Sequence, residues 1–331
     1  MLEFQRCTKP RRTSLSDGLP PFTVFDHFDS DSESASIISK LPPNLRFLRQ
    51  IHVIQKEAFK TLVRNFLKPQ TANECSALHS LIEMFDSRVL EHRSECSSEL
   101  DEFTLECARL NIRTFHFFAK ADLAEPLGFI ELYTLARSVL DHATLLDTTQ
   151  DFSLYCSQYS IRMTLLAAFV ILKISRSHLA HRVDLRGGES SYFSAIHLSK
   201  KRSLQNGDLD SRCALILTQL WSSNSIFRRR DGTVDSLRMR TRCRLSVGVV
   251  FECFWWWRTE FDGKPNIYSE EGEPQSEDPT IPEAIYDPNL SDIDIYSTVF
   301  PDWQWAAGPN FLADFPDGIE LGLDNIPAIL T

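Results

Sequence analysis

Few residues of this 331-residue chain have the types and spacing that chemistry requires. His178 and His181 lie three positions apart near the expected end of a helix, with Asp184 close behind, a spacing that metal ligands can adopt. Histidines near a helix C-terminus more often interact with the helix dipole, and we favour that role here. No two of the eight cysteines lie closer than ten residues, which excludes a Cys-x-x-Cys zinc clip and is typical of reduced intracellular thiols.

The usual catalytic and nucleotide-binding motifs are also missing from the sequence. It contains no GxGxxG, GxxxxGK[ST], HExxH or GxSxG. Neighbouring carboxylates are frequent only near the C-terminal end, where a Pro-rich composition leaves them solvated, whereas acid–base catalysis needs rigid, desolvated carboxylates. We therefore expect no catalytic residue, no cofactor and no metal ion. An unrecognised all-α enzyme is kept as a third alternative.

Charge is segregated along the chain. Residues 262–331 carry fifteen Asp or Glu and one Lys, a formal charge of −14, whereas the whole chain carries −10, so residues 1–261 carry +4. A basic cluster lies just upstream of this acidic segment. We expect its arginines to pair with acidic groups of the protein or to line a regulatory pocket rather than to contact DNA. The cluster comprises Arg228, Arg229, Arg230, Arg238, Arg240, Arg242 and Arg244.

Hydrophobic periodicity predicts a helical body. One helix should begin near Leu45 and end before Pro69, and Asp208 is a plausible N-cap for an apolar stretch at 213–221. Gly187 and Gly188 predict a turn within a connection at 182–189. Further helices are predicted at 72–94, 99–119, 127–146 and 154–180, and one long helix at 234–261, although the apolar stretch 247–257 is also compatible with a buried strand.

The two ends of the chain have compositions unlike the body. Residues 1–43 are rich in Pro, Ser and Asp, and a proline recurs every seven or eight residues through 264–331, which prevents long helices. The resulting prediction is an all-α fold with a disordered lead-in at 1–43, a helical regulatory domain at 44–263, and a disordered acidic tail at 264–331. The most apolar segment, 163–172, is too short to cross a bilayer, so we expect a buried helix and no membrane contact.

The acidic tail interleaves carboxylates with large apolar side chains. This pattern is typical of an activation segment, which is disordered alone and folds when its aromatic side chains enter a groove of a coactivator. A purely solubilising role does not explain the aromatic clusters, although packing of these side chains onto the body is a serious rival. The candidate coactivator-binding residues are Phe300, Trp303, Trp305, Phe311 and Phe315.

The body resembles the regulatory region of fungal zinc-cluster transcription factors, particularly the group of the leucine-biosynthesis and extracellular-protease regulators. The resemblance covers about residues 50–266 and implies an all-α regulatory domain and a nuclear location. The family's DNA-binding module, two Cys-x2-Cys-x6-Cys units that hold zinc, has no counterpart in this chain. The segments that carry the resemblance are 108–118 (ARLNIRTFHFF), 128–136 (GFIELYTLA), 192–221, 227–232 (FRRRDG) and 242–266.

Together these features indicate a nuclear transcriptional regulator of fungal RNA polymerase II genes that uses its tail to contact coactivators. Contact with DNA would then be indirect or would depend on an N-terminal module that this chain lacks, and homodimerisation is one option for the body. The alternative is a non-catalytic scaffold that uses the same body for protein contacts.

Overall fold

The computed structural model describes seven stretches of the chain: 38–66, 72–119, 126–205, 208–228, 232–235, 237–239 and 247–261. Nearly all of the lead-in at 1–43 and the whole tail at 264–331 lie outside these residues. The prediction that both segments are disordered therefore concerns residues that the structure does not describe. The described residues belong to one unit of the chain, Met1–Ser276.

Nine α-helices form the described part of the protein. Three short 3-10 segments, Glu91–Glu95, Thr114–Phe118 and Ala180–Arg182, extend or connect them. The described residues contain no β-strand, only an isolated bridge between Arg228 and Val234. The predicted all-α fold is therefore confirmed. The helices are α1 (Pro43–Phe66), α2 (Ala72–Leu90), α3 (Glu99–Arg113), α4 (Pro126–Gln150), α5 (Phe152–Tyr155), α6 (Gln158–Ser175), α7 (Leu185–Arg202), α8 (Leu209–Ser222) and α9 (Gly248–Phe261).

Side-chain caps fix where four of these helices begin. Ser98, Ser157, Asp184 and Asp208 each accept a hydrogen bond from a backbone N–H three residues ahead, which satisfies one of the free donors of the first turn. The Asp208 cap confirms the prediction made from sequence, with the N–H of Ser211 at 2.8 Å from its carboxylate.

The helices α4 and α6 form the centre of the molecule. They pack against each other, and both also contact α3 and α7, while α6 contacts α9 as well. Every side chain of α6 from Met163 to Ile174 is buried. By length and composition α6 is the one described helix that is apolar enough to span a membrane, but 78% of it is buried inside the protein, as a core helix would be.

Three predicted local structures are wrong in part. The single helix predicted at 154–180 is interrupted by the extended residues Cys156 and Ser157, and α6 ends at Ser175. Gly187 and Gly188 do not form a turn, because Asp184 caps α7 and both glycines lie in the first turn of that helix. The predicted long helix at 234–261 is also wrong in its first part. Residues 232–235 and 237–239 are not helical, and α9 begins only at Gly248, so the alternative of a buried strand at 247–257 is excluded as well.

Candidate functional site

Most of the residues singled out from the sequence lie outside the described part of the chain. This applies to all five tail aromatics, from Phe300 to Phe315, and to five of the seven arginines of the basic cluster. Arg228 is exposed and donates to the carbonyl of Gly232 at 3.2 Å, which is a bond to backbone rather than the pairing with acidic groups predicted for the cluster. Arg238 is half-buried, on a stretch tied to the core by the hydrogen bond from the Met239 N–H to the Phe117 carbonyl.

The histidine pair considered from sequence does not form a ligand cluster with Asp184. His178 and His181 are both exposed. Asp184 instead accepts from the N–H of Gly187 at 3.1 Å and pairs with Arg137 at 2.9 Å. These backbone and guanidinium contacts lower the pKa of the Asp184 carboxyl group. Asp184 is therefore a helix cap.

A different cluster of metal-ligand side chains is assembled by the fold. His79 and Glu83 lie one helical turn apart on α2, and His116 lies on the 3-10 segment that continues α3. One ligand atom from each of the three residues lies within 4.8 Å of those of the other two. The Nε2 atom of His116 is 3.8 Å from Oε1 of Glu83. We call these three residues the His–Glu cluster.

The atoms that the His–Glu cluster turns inward are shielded from solvent and unsatisfied. Nδ1 of His79, Oε1 of Glu83 and Nε2 of His116 are all buried, and none has a hydrogen-bond partner within the part of the chain that the structure describes. Buried polar atoms are normally paired, so three unpaired ones on three neighbouring residues need a physical explanation.

An arginine-centred network holds the Glu83 carboxylate in place. Arg113 donates to Oε2 of Glu83 at 2.8 Å, to Asp86 at 2.8 Å and to Glu131 at 2.7 Å. Arg109 makes two further bonds to Asp86, at 2.8 and 3.0 Å. Because Arg113 engages only Oε2, the other oxygen of Glu83 stays directed at the histidines.

His116 is the most enclosed member of the cluster. It is 3% exposed, its ring contacts those of His79 and Phe129, and it lies against the backbone of α4 at Gly128. A Cβ atom at Gly128 would lie 2.6 Å from Cε1 of His116, so only glycine leaves room for the ring there. Burial, together with the charge of Arg113, lowers the pKa of His116 to about 3, and the imidazole is neutral at physiological pH.

A second cluster lies on the protein surface. Glu99, Glu102 and His142 also place ligand atoms within 4.8 Å of one another. His142, however, already pairs through Nδ1 with Glu106 at 2.9 Å, and Glu99 is exposed. Solvated groups of this kind are common without any ligand, so we assign no site here.

A buried ion pair joins α6 to α9. Nζ of Lys173 lies 2.9 Å from Oε1 of Glu252, and both side chains are almost fully buried. The ammonium also lies 5.0 Å from the centre of the Phe227 ring and 5.8 Å from that of Phe117. These contacts lie in the core and are accounted for by helix packing.

The His–Glu cluster was not predicted from the sequence. Its one visible signal is the spacing of four between His79 and Glu83 inside a predicted helix, which places both side chains on one face. His116 is 37 residues further along the chain, and no local pattern indicates that it returns to α2.

Within the residues that the structure describes, the fold is all-α and brings together one buried cluster of histidine and carboxylate side chains. Comparisons of the chain with models of known protein families, with curated proteins and with solved structures found no match.

Proposed function

We propose that the protein is a nuclear transcriptional regulator, in which a helical body has a regulatory role and the acidic tail recruits coactivator proteins. The observation that carries the proposal is the composition of the tail, where fifteen acidic residues and one lysine surround repeated aromatic side chains. Isolated acidic tails need no aromatic residues to stay soluble, whereas a segment that folds on a partner needs apolar side chains to bury there.

The described body is compatible with this function. Its helices enclose a continuous core around α4 and α6, as expected for a regulatory domain of the resembled class. Arg228, the exposed member of the basic cluster among the described residues, bonds to its own backbone loop. The proposal therefore assigns partner contact to the tail and assigns DNA contact to a separate module or partner.

A fusion experiment tests the proposal directly. Residues 287–331 joined to a foreign DNA-binding domain should activate a reporter gene in a fungal host. Replacing Phe300, Trp303, Trp305, Phe311 and Phe315 with Ala should abolish activation, because each large ring contributes roughly 2 kcal/mol on burial.

The matched control removes charge and keeps the rings. Replacing Asp302, Asp314 and Asp317 with Asn should only weaken activation, since an exposed ion pair contributes less than about 1 kcal/mol. A wild-type fusion that is expressed normally but leaves the reporter silent would overturn the activator function and favour a scaffold. Equal loss in both variants would show that charge contributes as much to recruitment as aromatic burial, which would contradict the assignment of the main contribution to the rings.

A further inference from the structure

We propose that His79, Glu83 and His116 bind one divalent transition-metal ion of the zinc class. The site is assembled from two elements, α2 and the 3-10 segment after α3, and it goes beyond the proposed role in transcription. It also departs from the sequence-based expectation that the protein has no metal ligand.

The geometry of the cluster is close to that of a metal site. Zinc bonds to imidazole nitrogen and carboxylate oxygen are about 2.0–2.2 Å long, so neighbouring ligand atoms of a tetrahedral site lie about 3.4 Å apart. The observed separation between Nε2 of His116 and Oε1 of Glu83 is 3.8 Å. The third ligand atom, from His79, lies within 4.8 Å of both. Small side-chain rotations are enough to bring all three atoms around one ion.

An ion would also resolve the unsatisfied atoms. A buried polar atom left without a partner destabilises the folded protein. Nδ1 of His79, Oε1 of Glu83 and Nε2 of His116 all lack a partner within the described stretches, and all three are types that donate a lone pair to a metal. One cation placed between them satisfies the three atoms together.

The surrounding charge is compatible with a dication. The network next to the cluster contains three carboxylates, those of Glu83, Asp86 and Glu131, against the guanidinium groups of Arg109 and Arg113. One negative charge is therefore in excess before an ion binds. Arg113 acts as a positioning residue, because its bond to Oε2 of Glu83 fixes which oxygen faces the histidines.

The ligand set indicates the class of metal. Two imidazoles and one carboxylate suit zinc and neighbouring transition metals, whereas calcium and magnesium prefer sites made only of oxygen. The Glu83 side chain is 36% exposed, which gives an ion a route from solvent, and three protein ligands leave a further coordination position for water.

Cobalt provides the first test because its spectrum reports the ligand types. Full-length protein stripped with a chelator is titrated with Co²⁺ and then with Zn²⁺. We expect the protein to bind one equivalent of Co²⁺ and Zn²⁺ to displace it. The bound Co²⁺ should show visible d–d absorption but no thiolate charge-transfer band, which coordination by any of the eight cysteines would produce. Zn²⁺ should also raise the melting temperature.

Variants locate the ion. His79→Gln should weaken Co²⁺ binding at least about 100-fold, since losing even an outer-shell partner costs roughly 10–100-fold. His142→Gln, in the surface cluster, is the matched control and should leave binding unchanged. Far-UV circular dichroism of the metal-free proteins checks folding, and Glu83→Gln offers the same comparison if His79→Gln does not fold.

Three results would overturn the proposal. The first is an absence of stoichiometric binding in the wild-type protein. The second is a thiolate-type cobalt spectrum, which would place the ion at cysteines. The third is unchanged Co²⁺ binding in a folded His79→Gln or Glu83→Gln protein. Loss of Co²⁺ binding in His142→Gln, together with unchanged binding in His79→Gln, would count in the same way.

Discussion

The first turn of α7 shows how single side chains determine the local packing. The hydroxyl group of Tyr133 on α4 donates to the carbonyl of Asp184 at 3.0 Å, and the ring passes directly beneath Gly188. Burial raises the pKa of Tyr133, which keeps the hydroxyl protonated as a donor. A side chain at Gly188 would collide with that hydroxyl group, whereas one at Gly187 would meet the guanidinium of Arg137. The two glycines permit the close approach of α7 to α4.

The two glycines should respond differently to substitution. In both positions Ala gains about 1 kcal/mol of helix propensity over Gly. Gly188→Ala should nevertheless destabilise the protein by about 1–3 kcal/mol, because Tyr133 is buried and has no room to move. Gly187→Ala should cost less, since the end of the half-buried Arg137 side chain and the exposed carboxylate of Asp184 can both shift. Urea denaturation measures both free energies of unfolding, and equal values for the two variants would contradict this account.

The same residues show why the sequence predicted the helices better than the packing between them. A Gly-Gly pair favours a turn when only neighbours in sequence are considered, because the sequence does not show that Tyr133 packs against Gly188. The Asp208 cap was predictable, since an N-cap depends on residues within three positions. The His–Glu cluster needs α2 to meet a segment more than thirty residues away, and periodicity carries no such information.

At the scale of helices, the Lys173–Glu252 pair joins α9 to α6. Both charges are removed from water, and the ammonium lies against the rings of Phe117 and Phe227. Such pairs stabilise less than their attraction suggests, because desolvation offsets most of it, but removal of one partner leaves an uncompensated charge in the core.

Single and double substitutions separate these two effects. Lys173→Met or Glu252→Leu alone should each lower the free energy of unfolding by about 3–5 kcal/mol. The double variant should lie close to wild type, since two apolar side chains pack where two charges were. Chemical denaturation followed by tryptophan fluorescence measures all three.

A surface ion pair provides the control for this comparison. Arg88 and Glu57 lie 2.7 Å apart between α2 and α1, with side chains 39% and 50% exposed. Arg88→Ala should cost less than about 1 kcal/mol because solvent screens the pair. If Lys173→Met and Glu252→Leu each lowered the free energy of unfolding as little as Arg88→Ala does, the Lys173–Glu252 pair would not be desolvated in solution.

The start of α9 illustrates an element boundary that the sequence does not reveal. Periodicity extends a helix back to Val234, but the N–H of Asp235 bonds to the Phe227 carbonyl at 2.7 Å and that of Met239 to the Phe117 carbonyl at 2.7 Å. Gly232 has a φ angle of 80°, which side chains rarely allow, and it permits the chain to reverse there. These hydrogen bonds form in place of the helical ones, so residues 232–235 and 237–239 are not helical.

At the scale of the whole molecule, the two parts of the chain differ in the sign of their net charge. Residues 1–261 carry +4 and residues 262–331 carry −14. A negative net charge opposes approach to a phosphate backbone, and counterion release requires basic groups that are free to contact phosphates. Arg228 is engaged with its own loop.

This distribution of charge leads to a prediction for DNA binding by the chain. The full-length chain should bind duplex DNA without sequence preference, because its sequence contains no recognisable module that reads a groove and its net charge is −10. Titration of a fluorescent promoter duplex and a random duplex at physiological salt should give equal, weak affinities that fall further as salt rises. Replacing Arg229 and Arg230 with Gln should weaken both equally, since phosphate contacts carry no sequence information. Promoter binding tighter by about 1,000-fold would instead reveal a reader within these 331 residues and would move DNA recognition from a partner to this chain.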